Sequence, residues 1–175
     1  MVARIAPIDA AHLGSVMAVQ ARAYGAQLLE APEVLGSKLR APGGACWGAF
    51  APEGTGADAA SPGRLCAYAI SHAVPAGAAL ALNKVLAEEE ARPAPGAWLY
   101  VHDIAIDPAW AGTGLAARLL AEVLNAGRRL GLHRAMLVAV QGADAYWARH
   151  GFIAGQAPMP LRGFGDGAVW MAREV

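Results

Sequence analysis

A mixed, mostly antiparallel α/β fold, with about seven strands and about four flanking helices, is what the sequence predicts. Two observations carry the prediction. Apolar runs of strand length alternate with amphipathic helical stretches along the 175 residues. The most strand-like run, from Trp98 to Ile106, leads through a long helix into a further strand over residues 135–140, a connection of the kind that joins parallel neighbours; segments 45–50 and 64–74 instead read as an antiparallel hairpin. No internal repeat divides the chain, and a single domain over residues 1–175 is expected.

In chain order, residues 2–8 form an edge strand. Asp9 is placed to cap a helix from about Ala10 that turns Leu13, Val16, Met17 and Tyr24 to one face. Pro32 and Glu33 open a second helix, which Pro42 and Gly43 end after Leu39 and Arg40. The two hairpin segments flank a loop rich in Gly, Pro, Ala and Ser. Residues 75–97 are irregular, with Glu88, Glu89 and Glu90 in a solvated turn. Asp107-Pro108 ends the strand from Trp98. From Leu115 the apolar positions Leu119, Leu120, Val123, Leu124 and Leu130 make one stripe, Arg118, Glu122, Arg128 and Arg129 lie off it, and Gly131 supplies the stop. Residues 143–150 read as a short helix, and 152–154 and 168–172 as the last strands.

Fourteen Lys and Arg balance fourteen Asp and Glu, which argues against the basic footprint of a nucleic-acid binder or a protein held on anionic membranes. The uncharged stretch over residues 65–83 contains Ser71, His72, Pro75, Gly77 and Asn83, and so reads as a strand and loop rather than a membrane span. The first residues hold no apolar run of signal-peptide length, and a cytoplasmic protein is expected. Cys46 and Cys66 stand alone in apolar segments, as buried thiols; they make neither a disulfide framework nor a zinc site, and no metal is expected.

The most informative segment enters the long helix through Gly112-Thr113-Gly114-Leu115-Ala116. Glycines there let backbone approach a ligand closely, and the free N–H groups of the helix's first turn suit a phosphate. Alone, the pattern is weak in a chain with 43 alanines and 21 glycines. A dinucleotide fingerprint needs the strand to run directly into the first glycine and an acid to end the next strand. Five residues separate Ile106 from Gly112, and the next strand ends in Val140-Gln141-Gly142 without an acid.

This segment resembles the acetyl-CoA motif of the GCN5-related N-acetyltransferase (GNAT) family, which falls on residues 111–116. A second signature of that family, a short helix ending in Gly-Phe, is matched by Tyr146-Trp147-Ala148-Arg149-His150-Gly151-Phe152. The order of strands and helices agrees with the family's fold. The resemblance implies that the amides of Gly112, Thr113, Gly114, Leu115 and Ala116 cradle the CoA pyrophosphate, and that Ile104, Ala105 and Ile106 hold the pantetheine arm as an added strand would. It also implies that Gln141 contacts the cofactor and that Trp147 packs on the pantetheine. Ala111 stands where the family usually has Gln or Arg.

Acetyl transfer to an alkyl amine, protonated at neutral pH, benefits from a base in reach, and the departing thiolate from an acid. The resemblance puts the base on the central strand, where simple alternation sets Tyr100, His102 and Ile104 on one face and Asp103 on the other unless a bulge shifts the phase. His102 is the first candidate for the base, with Tyr100 two residues before it. The family's usual acid falls at Trp147, which cannot serve, so Tyr146 substitutes only if the helix is rotated or shifted. His150 reads as a cation at a helix end, and His12, His72 and His133 carry no motif support. The acceptor, a small-molecule or peptide amine, is expected near Tyr24, Glu30, Glu33, Asp103 and Asp166. A catalytically impaired acyl-CoA-binding module is the alternative, motivated by Ala111 and Trp147, and family habit suggests a homodimer.

Overall fold

A computed structural model describes residues 2–43, 45–52, 63–158, 160–161 and 163–175. The strands are β1 (Arg4–Pro7), β2 (Trp47–Phe50), β3 (Leu65–Val74), β4 (Trp98–Ile106), β5 (Arg134–Ala139), β6 (Ile153–Ala154) and β7 (Val169–Glu174). The helices are α1 (Leu13–Ala23), α2 (Pro32–Leu39), α3 (Leu115–Arg129) and α4 (Asp144–Arg149). The strands form one sheet in the order β1-β2-β3-β4-β5-β7-β6. Among the described residues only β4 and β5 pair in parallel, through the α3 crossover; the other neighbours are antiparallel. The predicted fold class is therefore the one observed, and β1 takes its predicted edge. The loop joining β2 to β3 lies mostly at 53–62, outside the described residues.

Burial explains the layers. Leu115, Leu119, Leu120, Val123 and Leu124 of α3 pack on Leu99, Val101 and Leu137 on one face of the sheet. Gly127 lets α3 come that close, since a Cβ there would stand 2.8 Å from Leu99 Cδ2. Val16, Val19, Leu35 and Leu39 of α1 and α2 cover Tyr68, Ile70 and Ala105 on the other face. A third cluster joins Val74, Leu80, Tyr100, Met136 and Phe164 at one end of the sheet.

Local departures have local causes. Asp9 does cap, accepting from the Ala11 amide and forming a box with His12, but the first turn over Ala10–His12 is a 3-10 turn and α1 begins at Leu13. β1 is shorter than 2–8, and Phe152 is buried before β6 begins at Ile153.

Candidate active site

β4 and β5 pair only at Leu99↔Ala135 and Tyr100↔Met136. Beyond Tyr100 the two strands diverge, and the β4 edge facing β5 has no strand partner among the described residues. The opening is a groove of about 310 Å³ bordered by Val101, His102, Asp103 and Ile104 of β4, by Val138, Val140 and Gln141 at the end of β5, and by Tyr146 and Trp147 of α4. Next to it lies a second hollow of about 430 Å³, bordered by Ile106 and residues 110–117, with Tyr146 and His150 on its far wall. Ala116 and Tyr146 border both, so the two hollows form one path from β4 to the start of α3.

The entry to α3 has the geometry of an anion cradle. Gly112 and Gly114 hold left-handed φ of +74° and +77°, and a Cβ at either would stand in open space, not against protein. The Arg118 amide is the first to bond back into the helix, to the Gly114 carbonyl at 3.2 Å. The amides of Leu115, Ala116 and Ala117 before it belong to the turn that has no intrahelical acceptor. Arg118 itself points away, donating to the Ala3 carbonyl.

On the opposite face, the register of β3 and β4 slips between Ile70 and Ser71, whose partners are Asp103 and Val101, so that His102 is the extra residue of a bulge. The bulge is the exception allowed for in β4, and it shifts the phase of the alternation. His102 and Asp103 border the same small cavity, together with Tyr24, Glu30, Leu82 and Phe164, whereas Ile104 packs with the α3 layer. Tyr100 remains on the His102 side, its ring 5.4 Å from the imidazole.

The His102 imidazole is 1% exposed, and its Nε2 bonds the Glu30 carboxylate. Glu30 accepts the Asn83 amide at 2.9 Å and has the Lys38 ammonium at 3.8 Å. Asp103 accepts the hydroxyls of Tyr24, at 2.6 Å, and of Tyr68. Burial outweighs these bonds and pushes the Asp103 carboxyl above its ordinary range. The Tyr24 hydroxyl also reaches the Ile104 carbonyl at 3.0 Å. Tyr146 is half-buried, and burial raises its phenol despite Arg149, so it holds its proton at neutral pH.

The Acetyltransferase (GNAT) family profile matches residues 29–152. The chain belongs to the GNAT acetyltransferase family. The fold is similar to that of the ribosomal-protein-S18-alanine N-acetyltransferase from Escherichia coli, at 15% identity and TM-score 0.66, over 98% of this chain and 93% of that one. It is similar as well to the PaiA N-acetyltransferase from Thermoplasma acidophilum in complex with coenzyme A, at 14% identity and TM-score 0.64, over 100% of both chains. A third similar structure is the GphF GNAT-like decarboxylase in complex with isobutyryl-CoA, at 19% identity and TM-score 0.67, over 98% of both chains. Among curated proteins no sequence matches.

In this GNAT chain the fold gathers most of the residues singled out in the sequence. Gly112, Thr113, Gly114, Leu115 and Ala116 border the cradle; Ile104, Gln141, Tyr146 and Trp147 border the groove; Tyr24, Glu30, His102 and Asp103 meet around one cavity. Ala105 is buried on the other face against the α1 and α2 layer, so only its main chain is available to the groove. Tyr146 needs no helix shift, because the groove wraps around α4 and takes both Tyr146 and Trp147, whose rings meet edge to face at 5.1 Å. Glu33 sits exposed in the first turn of α2 and Asp166 in an exposed turn, so neither joins the site. Among the described residues no group of three or more His, Cys, Asp or Glu is placed to hold a metal ion, and no helix is long and apolar enough to cross a membrane.

Two neighbours had no signal in the sequence. Lys38 looks like an ordinary last-turn lysine, yet its side chain is 4% exposed and turned to Glu30. His72 lies in a featureless uncharged strand, yet its ring is 6.4 Å from that of His102. His72 Nδ1 faces the Ala73 carbonyl at 3.0 Å and must donate, which leaves Nε2 bare and buried. Burial pushes its pKa down to about 3. Since the unfolded chain takes up this proton near pH 6.5 and the folded one does not, the stability contribution is complete above that pH and falls as acid is added towards pH 3. The expected loss between pH 7 and pH 5 is about 2 kcal/mol. Urea unfolding of wild type and His72→Leu at both pH values measures it; equal acid losses in the two would contradict it.

Proposed function

We propose that the protein transfers the acetyl group of acetyl-CoA to a primary amine by direct attack within a complex that holds both substrates. The observation that carries this is the continuous path from the α3 cradle along the open β4 edge to the cavity of His102 and Asp103. The cradle fits a pyrophosphate and the β4 edge fits the amide-bearing pantetheine arm. Bound there, acetyl-CoA supplies an activated acyl group.

His102 serves as the base. An amine arrives protonated, and an imidazole with a free ring nitrogen can take that proton. The ring borders a cavity of about 50 Å³, room for roughly one water molecule, so the proton reaches it through water. Asp103 attracts the ammonium, and Tyr146 protonates the leaving thiolate. Cys46 and Cys66 are fully buried and border none of these hollows, and burial lifts the Cys46 thiol to about 11, which argues against an acyl-enzyme.

Thiol release from acetyl-CoA across alkylamines, polyamines, amino acids and a peptide with a free N-terminus and lysine tests this reading. Turnover on at least one amine is expected, whereas CoA binding with no turnover on any would favour the acyl-CoA-binding alternative. Tyr146→Phe is expected to lower kcat about 10-fold or more with CoA affinity kept, because the ring remains and only the proton is lost. An unchanged kcat would remove Tyr146 as the acid.

A further inference from the structure

We infer that Glu30 is the positioning residue of the base: it fixes His102 in the form that carries hydrogen on Nε2, so that Nδ1 receives the proton, and Lys38 holds the charge of that carboxylate. This rests on the reading of His102 as the base.

A carboxylate only accepts, so the bond between His102 Nε2 and Glu30 must be donated by the ring. The neutral imidazole then has its lone pair on Nδ1, which is buried and has no partner among the described residues. A bare buried nitrogen is costly and also occurs at His72 Nε2; what sets His102 apart is that its residue borders both the groove and the acceptor cavity, which His72 does not. When Nδ1 takes the amine's proton, the imidazolium lies against a carboxylate that stays ionised, and the proton leaves Nδ1 to water by the way it came.

Glu30 is held on every side. Its main-chain N–H and C=O both bond the side-chain amide of Gln20, at 2.9 and 3.1 Å, and Gln20 is itself buried. Lys38 is fixed in turn by donating to the Lys84 carbonyl at 3.0 Å. Burial pushes the Glu30 carboxyl up, but the His102 bond, its charge, Lys38 and the Asn83 amide together hold it below its ordinary value. Burial lowers the Lys38 pKa, against the pull of Glu30 and Asp103.

The other groups facing His102 do not duplicate Glu30. His72 on β3 is neutral, and Tyr100 on β4 keeps its proton. Asp103 on β4 is occupied by Tyr24 from the end of α1 and Tyr68 from β3.

The test uses E30Q, K38M and the double variant E30Q/K38M of the full chain, assayed with acetyl-CoA and the panel amine turned over fastest. E30Q alone keeps an acceptor but strands the buried Lys38 charge, and is expected to be the least stable. The double variant removes both charges. Its kcat is expected to fall about 10-fold or more with KM for acetyl-CoA within about twofold, and its pH–rate inflection to move about one unit towards acid. K38M alone moves the inflection the other way. In the wild type, ¹⁵N chemical shifts of the His102 ring show hydrogen on Nε2 and none on Nδ1 at neutral pH.

Hydrogen on Nδ1 in the neutral wild type, or a folded double variant with wild-type kcat and inflection, overturns the inference. If His102→Ala loses activity while E30Q/K38M behaves as wild type, the base reading stands and the role of Glu30 falls. If His102→Ala is fully active, the base reading itself falls.

Discussion

Replacing His102 by alanine is expected to lower turnover by about 100-fold or more, with acetyl-CoA affinity within about a factor of two of wild type. The cofactor path uses His102 only at its inner end, so binding is preserved, whereas an amine that must shed a proton loses the group that takes it. The substitution also removes the partner of a buried carboxylate, and some loss of stability accompanies it. His102→Gln separates the two effects, because glutamine can still donate to Glu30 but cannot act as a base near pH 7. Both variants should lose activity to a similar degree, and His102→Gln should be the more stable. Wild-type kcat with an unchanged pH–rate profile in either variant would contradict the assignment.

Gly114→Val is expected to weaken CoA binding about 100-fold or more. The residue holds φ of +77°, which a β-branched side chain tolerates poorly, and its Cβ would stand in the open space beside the first amides of α3. Backbone strain alone could mimic a local effect, so the control is Gly131→Val. Gly131 has φ of +72° and equally open surroundings, but lies at the far end of α3 and borders none of the groove. Gly131→Val should show comparable strain and wild-type CoA affinity by calorimetry. Equal affinity in Gly114→Val and wild type would move the pyrophosphate elsewhere.

The parts of this site legible in the sequence are those that repeat with a helical or strand period. The α3 stripe, the β4 run and the glycines between them sit where periodicity and turn chemistry place them, because each is set by residues near in sequence. The phase of β4 beyond Tyr100 was not legible. It depends on a register slip against β3, and no residue type between Val101 and Asp103 marks the extra position. Glu30 borders the cavity with Tyr24 and Asp103, but its partners His102, Lys38 and Asn83 converge from β4, α2 and the segment after β3. Burial of charged residues is a property of that convergence and leaves no local pattern. Helix geometry alone admits Tyr146 as the acid only with a rotated or shifted helix, whereas the groove curves around α4 and takes both adjacent residues.

Titration of ¹⁵N-labelled protein with CoA, followed by backbone amide chemical shifts, tests the central claim most directly. The largest changes are predicted at Gly112, Gly114, Leu115 and Ala116 and along Ile104 to Ile106, with smaller ones at Gln141 and Trp147. Shifts absent from these residues, or confined to the separate cavity bordered by His72, Val74 and residues 75–81, would contradict it.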